Sequence, residues 1–174
     1  MEYSGRSSWR KRRTVPISSS LATQLDAIDL RMLRELQRNA DQSMHELAEH
    51  IGLSHTPCWR RYVRLKRLGV IQKKVVVIDA DKIGKGLNAL CTVVLDRHDE
   101  KSLAAFEKAA VDCPEIMECY AMSGARDYLL RIAVASVAEY EKFMKQTLLH
   151  LPGVDSVATN FALKTVKLSA ALPI

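Results

Sequence analysis

Residues 43–69 read SMHELAEHIGLSHTPCWRRYVRLKRLG, and this stretch predicts two short helices joined by a tight turn. Ser43 is followed three residues later by Glu46, which is the spacing of a capping box at the start of a helix. Gly52 predicts the end of that helix, because glycine readily adopts the left-handed conformation found there. Ser54 is then placed to cap the next helix, which we expect to run to Leu68.

The second of these helices is strongly basic. A helical wheel places one group of residues toward the interior of the domain: Cys58, Tyr62, Leu65 and Gly69. It places Arg60, Arg64 and Arg67 on the opposite side, with Arg61 on a flank. No acidic residue lies within 52–78, so these arginines cannot be neutralised by pairing inside the helix.

Two helices joined by a tight turn, with a basic second helix, are typical of a helix-turn-helix. Residues 26–39 have apolar side chains at helical spacing and predict the supporting first helix. Residues 70–79 are rich in valine and predict a strand. We therefore expect a winged helix-turn-helix domain over 25–69, with its core at 45–64, and a strand and linker over 70–87.

Specific residues of the basic helix are candidates for DNA contacts. Arginine neutralises phosphates and can donate two hydrogen bonds to the edge of a guanine. Residues in the first turn of a recognition helix approach bases. The predicted DNA-binding residues are His55, Thr56, Trp59, Arg60, Arg61, Arg64 and Arg67. Arg60, Arg61 and Arg64 are expected to contribute much of the affinity.

The basic charge is concentrated in the first part of the chain. Residues 1–20 carry a net charge of +4, residues 21–78 carry +4, and residues 79–174 carry −2. Residues 1–24 lack apolar periodicity and predict a disordered basic arm, whose Arg10 to Arg13 either touch DNA or remain solvated. This asymmetry predicts a polyanion-binding half joined to a half with another role.

Residues 88–174 alternate predicted strands and helices. Strands are expected at 88–97, 115–122, 127–135 and 154–168. The last of them is expected to contain a bulge near Val166. Helices are expected at 101–113 and 137–151. The order βαββαβ predicts a ferredoxin-like domain, so the whole chain is assigned to the α+β class.

Several other functions are disfavoured. No apolar run is long enough to span a membrane, and the N-terminus lacks a secretory signal, so we expect a cytoplasmic protein. The four cysteines have no CxxC spacing and are expected to be reduced and mostly buried. His50, His55 and Cys58 are only a loose zinc pattern, and no catalytic motif is present, so neither a metal, a cofactor nor an enzyme is predicted.

The residues over 25–71 resemble the DNA-binding domain of the Lrp/AsnC family of transcriptional regulators. The resemblance rests on the opening Leu25, Asp26 and Asp29 and on the GLSHTPC run at 52–58. The segments EIMECYAMSGARDYLLRI and TLLHLPGVDSVATNFALKTVK resemble the effector-binding domain of the same family. The resemblance implies homodimers that often assemble into octamers, bind double-stranded DNA, and sense amino acids in clefts between effector domains.

The resemblance also implies an effector site around the loop after the second sheet strand. The residues carried over are Met122, Ser123, Gly124, Asp127, Tyr128, Asn160, Phe161 and Ala162. Many relatives have an acid directly after the glycine, whereas this chain has Ala125 and Arg126, and we expect Arg126 to change the ligand class or abolish strong binding. From the residues alone, Gly124 and Asp127 equally fit a purely structural turn.

Two functions remain open after this reading. The first is a site-specific regulator that responds to an amino acid or similar metabolite and controls amino-acid metabolism. The second is an architectural DNA-binding protein with little sequence preference.

Overall fold

The computed structural model describes residues 25–174, so the predicted arm at 1–24 lies outside the described residues. Two compact units are present. The first contains the described residues up to Val76 together with Lys167–Ile174, and the second is Val77–Val166. Each unit has its own hydrophobic core.

The first unit contains three helices, as predicted. They are α1 (Ala27–Arg38), α2 (Met44–Ile51) and α3 (His55–Arg67). The capping box before α2 is confirmed, since the Ser43 side chain accepts from the Glu46 amide and the Glu46 side chain accepts from the Ser43 amide.

The turn between α2 and α3 has the predicted glycine at its start. Gly52 has φ of 73°, and its amide donates to Ala48 and Glu49 carbonyls at the end of α2. The predicted cap of α3 is wrong in one detail. Ser54 has the extended backbone of a capping residue, but its side chain makes no capping hydrogen bond.

The core of the first unit is formed where the three helices meet. Its fully buried residues are Met32, Leu47, Ala48, Ile51, Cys58 and Leu65. Cys58 and Leu65 confirm the predicted inner stripe of α3, and Tyr62 is half-buried beside them. The expectation that Gly69 belongs to this core is wrong, because Gly69 is exposed and has the positive φ of a residue that follows a helix.

The strand predicted at 70–79 is absent from the described chain, and so the helix-turn-helix has no wing there. A strand needs a partner for its backbone hydrogen bonds. Residues 72–79 have no regular structure, and Val75, Val76, Val77 and Ile78 are all exposed.

The second unit has the predicted βαββαβ order. Its elements are β1 (Leu87–Leu95), α4 (Glu100–Asp112), β2 (Ile116–Ala121), β3 (Tyr128–Val134), α5 (Val137–Gln146) and β4 (Val154–Phe161). The strands form one antiparallel sheet in the order β2-β3-β1-β4, which confirms the ferredoxin-like plan.

One face of this sheet is covered by α4 and α5. Alternate strand residues, such as Cys91 in β1 and Leu130 in β3, join Phe106 of α4 and Phe143 of α5 in the core. The residues between them in the strands point to the other face, and they are half-buried or exposed. Packing on one face therefore leaves the second face of the sheet uncovered in the single chain.

Two predicted element ends differ from the structure. Regular helix ends at Gln146 and is followed by a 3-10 helix (Leu148–His150), so the predicted helix over 137–151 is interrupted. The last strand ends at Phe161, and the bulge predicted near Val166 is not formed, because residues 162–174 lie outside the sheet. Register shifts lie instead between Val94 and Leu95 and between Ile116 and Glu118.

Lys167–Ile174 pack with the first unit, although they follow the second unit in sequence. The Gln37 side chain of α1 donates to the Leu172 carbonyl at 3.1 Å and accepts from the Leu172 amide at 2.6 Å. The Arg34 Nε also donates to the Ile174 carbonyl. These bonds hold the tail against α1.

Leu65 anchors α3 and gives a direct test of this packing. Leu65→Ala is expected to lower the free energy of unfolding by about 2–5 kcal/mol, because it removes fully buried methyl groups and leaves a cavity. Val63→Ala is the matched control, since Val63 lies on the same helix but is exposed. Urea unfolding followed by circular dichroism measures both, and equal losses would contradict the core assignment of Leu65.

Candidate functional site

The first turn and outer face of α3 present a group of exposed polar and aromatic side chains. The predicted DNA-binding residues found on this surface are His55, Thr56, Trp59, Arg60 and Arg67. Trp59 is 50% exposed. This surface is therefore available to a ligand.

Trp59 is held by a small aromatic stack on α3. Its ring centroid lies 6.0 Å from that of Tyr62, with an interplanar angle of 29°. The Lys66 ammonium lies 5.6 Å from the centroid of the Tyr62 ring, within the range of a cation–π contact. The stack limits the orientations of Trp59 and keeps one more cation close to this surface.

A shallow basin of about 610 Å³ lies against α3. It is lined by Asp26, Arg60, Arg61, Val63, Arg64 and Arg67. Four guanidinium groups and one carboxylate around one open basin favour an anionic ligand, and phosphate oxygens suit the forked geometry of arginine.

Two of these arginines are tied to acids of α1. Arg61 Nη1 donates to Asp26 Oδ2 at 2.6 Å and to Asp29 Oδ1 at 2.9 Å. Arg64 Nη2 donates to Asp29 Oδ2. Asp29 is 0% exposed, so its charge depends on these two partners.

The same two acids also form the capping box at the N-terminus of α1. Asp26 Oδ1 accepts from the Asp29 amide at 2.8 Å, and Asp29 Oδ2 accepts from the Asp26 amide at 3.1 Å. The backbone hydrogen bond from Asp29, and then the Arg61 guanidinium, hold the pKa of Asp26 below its ordinary value. A capping box and an interhelical ion-pair network therefore share the same carboxylates.

This network corrects the helical-wheel prediction for Arg64. The wheel placed Arg64 away from the domain, but its long side chain reaches back to the buried Asp29 of α1. The sequence correctly excluded acidic partners within 52–78, yet it did not indicate partners from another helix. The available signal was the pair Asp26 and Asp29, whose spacing of three matches that of Arg61 and Arg64.

The predicted effector loop connects β2 to β3. Residues 122–126 are exposed, and the loop is closed by the Met122 amide, which donates to the Asp127 carbonyl at 2.8 Å. Gly124 has open space at the position of a β-carbon, so no close backbone approach requires a glycine there. Ser123, Gly124 and Arg126 thus lie together at one end of the sheet.

Asp127 and Tyr128 are engaged within the chain. Asp127 Oδ2 accepts from the Leu95 amide at 2.8 Å, and Asp127 Oδ1 lies 2.9 Å from His98 Nε2. Tyr128 is 3% exposed, and its hydroxyl donates to Glu107 Oε1 at 3.0 Å. Burial, reinforced by this bond, raises the pKa of Tyr128. Both side chains have structural roles in the single chain.

The remaining predicted effector residues, Asn160, Phe161 and Ala162, lie at the other end of the sheet. Phe161 pairs with Ala89 in β1, whereas Tyr128 pairs with Val93. At roughly 3.3 Å per residue, these two positions on β1 are about 13 Å apart. The chain therefore does not bring the two groups of predicted effector residues together.

The described residues offer little for other chemistry. Within 25–174, no three histidine, cysteine or acidic side chains lie close enough to share a metal ion, and no helix is long and apolar enough to cross a bilayer. All four cysteines are free, as predicted, and three are buried. Burial raises the pKa of Cys113 and Cys119 to about 11, which keeps both in the thiol form at neutral pH.

Comparison with known proteins assigns both units. Residues 25–66 match the model of the AsnC-type helix-turn-helix domain, and residues 88–172 match that of the Lrp/AsnC ligand binding domain. The chain belongs to the Lrp/AsnC family. The transcriptional regulators of this family bind DNA through the first domain and carry a ligand-binding domain after it.

The similarity to other Lrp/AsnC proteins extends over most of this chain. The DNA-binding transcriptional activator DecR of Escherichia coli is 35% identical over 150 residues, covering 86% of this chain and 99% of its own. The Bkd operon transcriptional regulator of Pseudomonas aeruginosa is 38% identical over 151 residues, covering 87% and 99%. The crystal structure of a Neisseria meningitidis transcriptional regulator in complex with L-Met aligns with a TM-score of 0.80 at 30% identity, covering 86% and 96%.

The buried carboxylate gives a stability test for this Lrp/AsnC domain. Asp29→Ala is expected to lower the free energy of unfolding by about 2–4 kcal/mol, because it breaks a buried ion pair and half of a capping box while the arginines can still turn toward water. Thermal unfolding followed by circular dichroism measures the loss. Asp41→Ala, at an exposed acid of the same unit, is the control and should change the stability by less than about 0.5 kcal/mol. Similar stabilities for the two variants would contradict a structural role for Asp29.

Proposed function

We propose that this chain is a DNA-binding transcriptional regulator whose α3 enters the major groove. The observation that carries the proposal is the arginine-lined basin on α3 beside an exposed first turn. A recognition helix needs an inner apolar stripe for docking and an outer polar stripe for DNA. Leu65 and Cys58 provide the first, and Arg60 and Arg67 belong to the second.

The side chains of this surface divide by role. Arg60 and Arg67 are exposed and suited to phosphates or guanine edges, since arginine can serve both. His55, Thr56 and Trp59 lie in the first turns, where recognition helices approach bases. Arg61 and Arg64 remain proposed DNA contacts, but each must share its guanidinium with an acid of α1.

The proposed active form is a homodimer, which assembles further into octamers as the family resemblance implies. The uncovered face of the sheet is a suitable surface for self-association. It carries Leu90, Thr92, Val94, Leu129, Ala133, Tyr120 and Ala158, several of them apolar and exposed to water in the single chain. A two-fold dimer would present two copies of α3 and read a pseudo-palindrome with half-sites one or more helical turns apart.

The second unit is proposed to bind an amino acid or a similar small metabolite. A cleft using both the 122–126 loop and residues 160–162 requires at least two copies of the chain, because these groups lie at opposite ends of one sheet. Effector binding would then change DNA affinity through the arrangement of subunits, provided that the effector distinguishes two such arrangements. Relatives named for the Bkd operon, for glutamate uptake and for leucine support control of amino-acid metabolism.

A second candidate function is architectural DNA binding with little sequence preference. The basic charge of the first unit and the arginine basin suit contacts with phosphates of any sequence. The two functions differ in the ratio of affinities for a selected site and for random DNA. A ratio of about 10³ or more would favour the site-specific regulator.

The proposed location is the cytoplasm, where chromosomal DNA is accessible, and the proposed activity involves no catalysis. The family consists of DNA-binding regulators rather than enzymes.

Arg60 tests the DNA-binding surface. Arg60→Ala is expected to weaken binding of a short labelled duplex by about 1–3 kcal/mol if Arg60 reads a base, or uniformly across sequences if it holds a phosphate. Fluorescence anisotropy at low salt measures the affinity. Arg38→Ala is the matched control, because it removes an exposed arginine from α1 outside the basin. The proposal fails if the wild-type chain does not bind double-stranded DNA even in dilute buffer.

Arg126 tests the effector site. Calorimetry with a panel of amino acids is expected to show weak or absent leucine binding by the wild-type chain, because Ala125 stands where many relatives carry an acid and Arg126 adds a cation beside it. Arg126→Ala should change the order of preference within the panel. Arg97→Ala, at another exposed arginine of the second unit, serves as the control. Tight leucine binding that is unaffected by Arg126→Ala would contradict a role for Arg126 in ligand selection.

A further inference from the structure

Asp26 is an acid placed among the arginines proposed to contact DNA. It lines the basin with Arg60, Arg61, Arg64 and Arg67. Its side chain is 52% exposed, and one carboxylate oxygen contacts Arg61 Nη1 at 2.6 Å. A phosphate group of bound DNA in this basin would meet the same guanidinium.

Asp26 and Asp29 hold Arg61 in different ways. Asp29 is fully buried, and its two oxygens are shared among Arg61, Arg64 and a backbone amide. If DNA displaced Asp29 from Arg61, the Asp29 carboxylate would remain buried without that partner. The contact of Asp29 with Arg61 is therefore structural. The contact between Asp26 and Arg61 is open to solvent, where ion pairs are weak and exchange readily for another anion.

We propose that Asp26 lowers the overall affinity for DNA by competing with DNA phosphates for Arg61. The inference rests on the proposed function, namely DNA binding through α3. The Asp26 carboxylate occupies Arg61 in the free protein, and a DNA phosphate must displace it to engage that guanidinium. This competition acts equally on every sequence, so it lowers the affinity for random DNA as well as for the target site.

Contacts to phosphates and contacts to bases contribute differently to DNA recognition. Phosphate contacts supply affinity without sequence information, whereas base contacts supply discrimination. Holding Arg61 away from phosphate therefore removes sequence-independent affinity and leaves the discrimination by exposed residues such as Thr56, Trp59 and Arg60 unchanged. Asp26 thereby lowers the population of protein bound at random sites.

The chain allows this carboxylate to be neutralised without removing the helix cap. Asp26 Oδ1 accepts from the Asp29 amide, and asparagine caps helices about as well as aspartate. Asp26→Asn therefore retains an acceptor for that amide while removing the charge that faces Arg61. Asp26→Ser, another good capping residue, provides a second variant if the first is poorly folded.

The test measures the affinity of the full chain for two fluorescein-labelled duplexes by anisotropy between about 50 and about 200 mM salt. One duplex has random sequence, and the other is enriched from a random library by the wild-type chain. Asp26→Asn is expected to bind the random duplex about three- to tenfold more tightly and to steepen the slope of log affinity against log salt by about 0.9, equivalent to one further phosphate contact. The ratio of affinities for the enriched and random duplexes should stay nearly unchanged, because the competition acts equally on both.

Two controls separate release of Arg61 from a general change in charge. Glu35→Gln removes one negative charge from the same helix and frees Arg38, which lies outside the basin, and it should leave the slope nearly unchanged. In an Arg61→Ala background, Asp26→Asn should no longer increase the affinity. Circular dichroism verifies that each variant is folded.

The outcomes distinguish this inference from the proposed function. If the wild-type chain binds neither duplex, DNA binding through α3 is itself wrong. If the wild-type chain binds but Asp26→Asn and Asp26→Ser, both folded, match it in affinity and slope, only the role of Asp26 is wrong. A gain in affinity that persists without Arg61, or that Glu35→Gln reproduces, also overturns the inference.

Discussion

The first unit depends on a buried carboxylate that joins two helices. Asp29 completes the capping box of α1, and the same side chain accepts hydrogen bonds from Arg61 and Arg64 of α3. Within the described residues every buried side-chain nitrogen and oxygen has a hydrogen-bond partner, so this charge is fully compensated. The orientation of α3 is therefore set by two kinds of contact, apolar packing around Leu65 and a polar network at its edge.

The sequence predicted the elements whose signals are local. The Ser43–Glu46 capping box and the helix end at Gly52 are encoded within a few residues, and each is confirmed. The apolar stripe of α3 also identified Cys58 and Leu65 as core residues. For the candidate DNA surface, the same helical wheel placed Arg60 and Arg67 on the outer side, and both are exposed.

Three of the errors share a physical cause, since each concerns interactions between residues distant in sequence. The pairing of Arg64 with Asp29 joins positions on different helices, and helical periodicity contains no information about it. The strand expected at 70–79 has suitable composition but lacks a neighbour in the described single chain, and composition alone cannot supply hydrogen-bond partners. The separation of the 122–126 loop from residues 160–162 likewise depends on sheet register, which was fixed only in three dimensions.

The attachment of the C-terminal tail to α1 has a practical consequence for protein engineering. Gln37 and Arg34 bind the backbone of Leu172 and Ile174, so residues 167–174 pack with the helix-turn-helix unit although they follow the second unit in sequence. An affinity tag or fluorescent protein fused after Ile174 would therefore be attached beside α1. Likewise, a fragment that begins at Val77 would carry a tail separated from its docking helix.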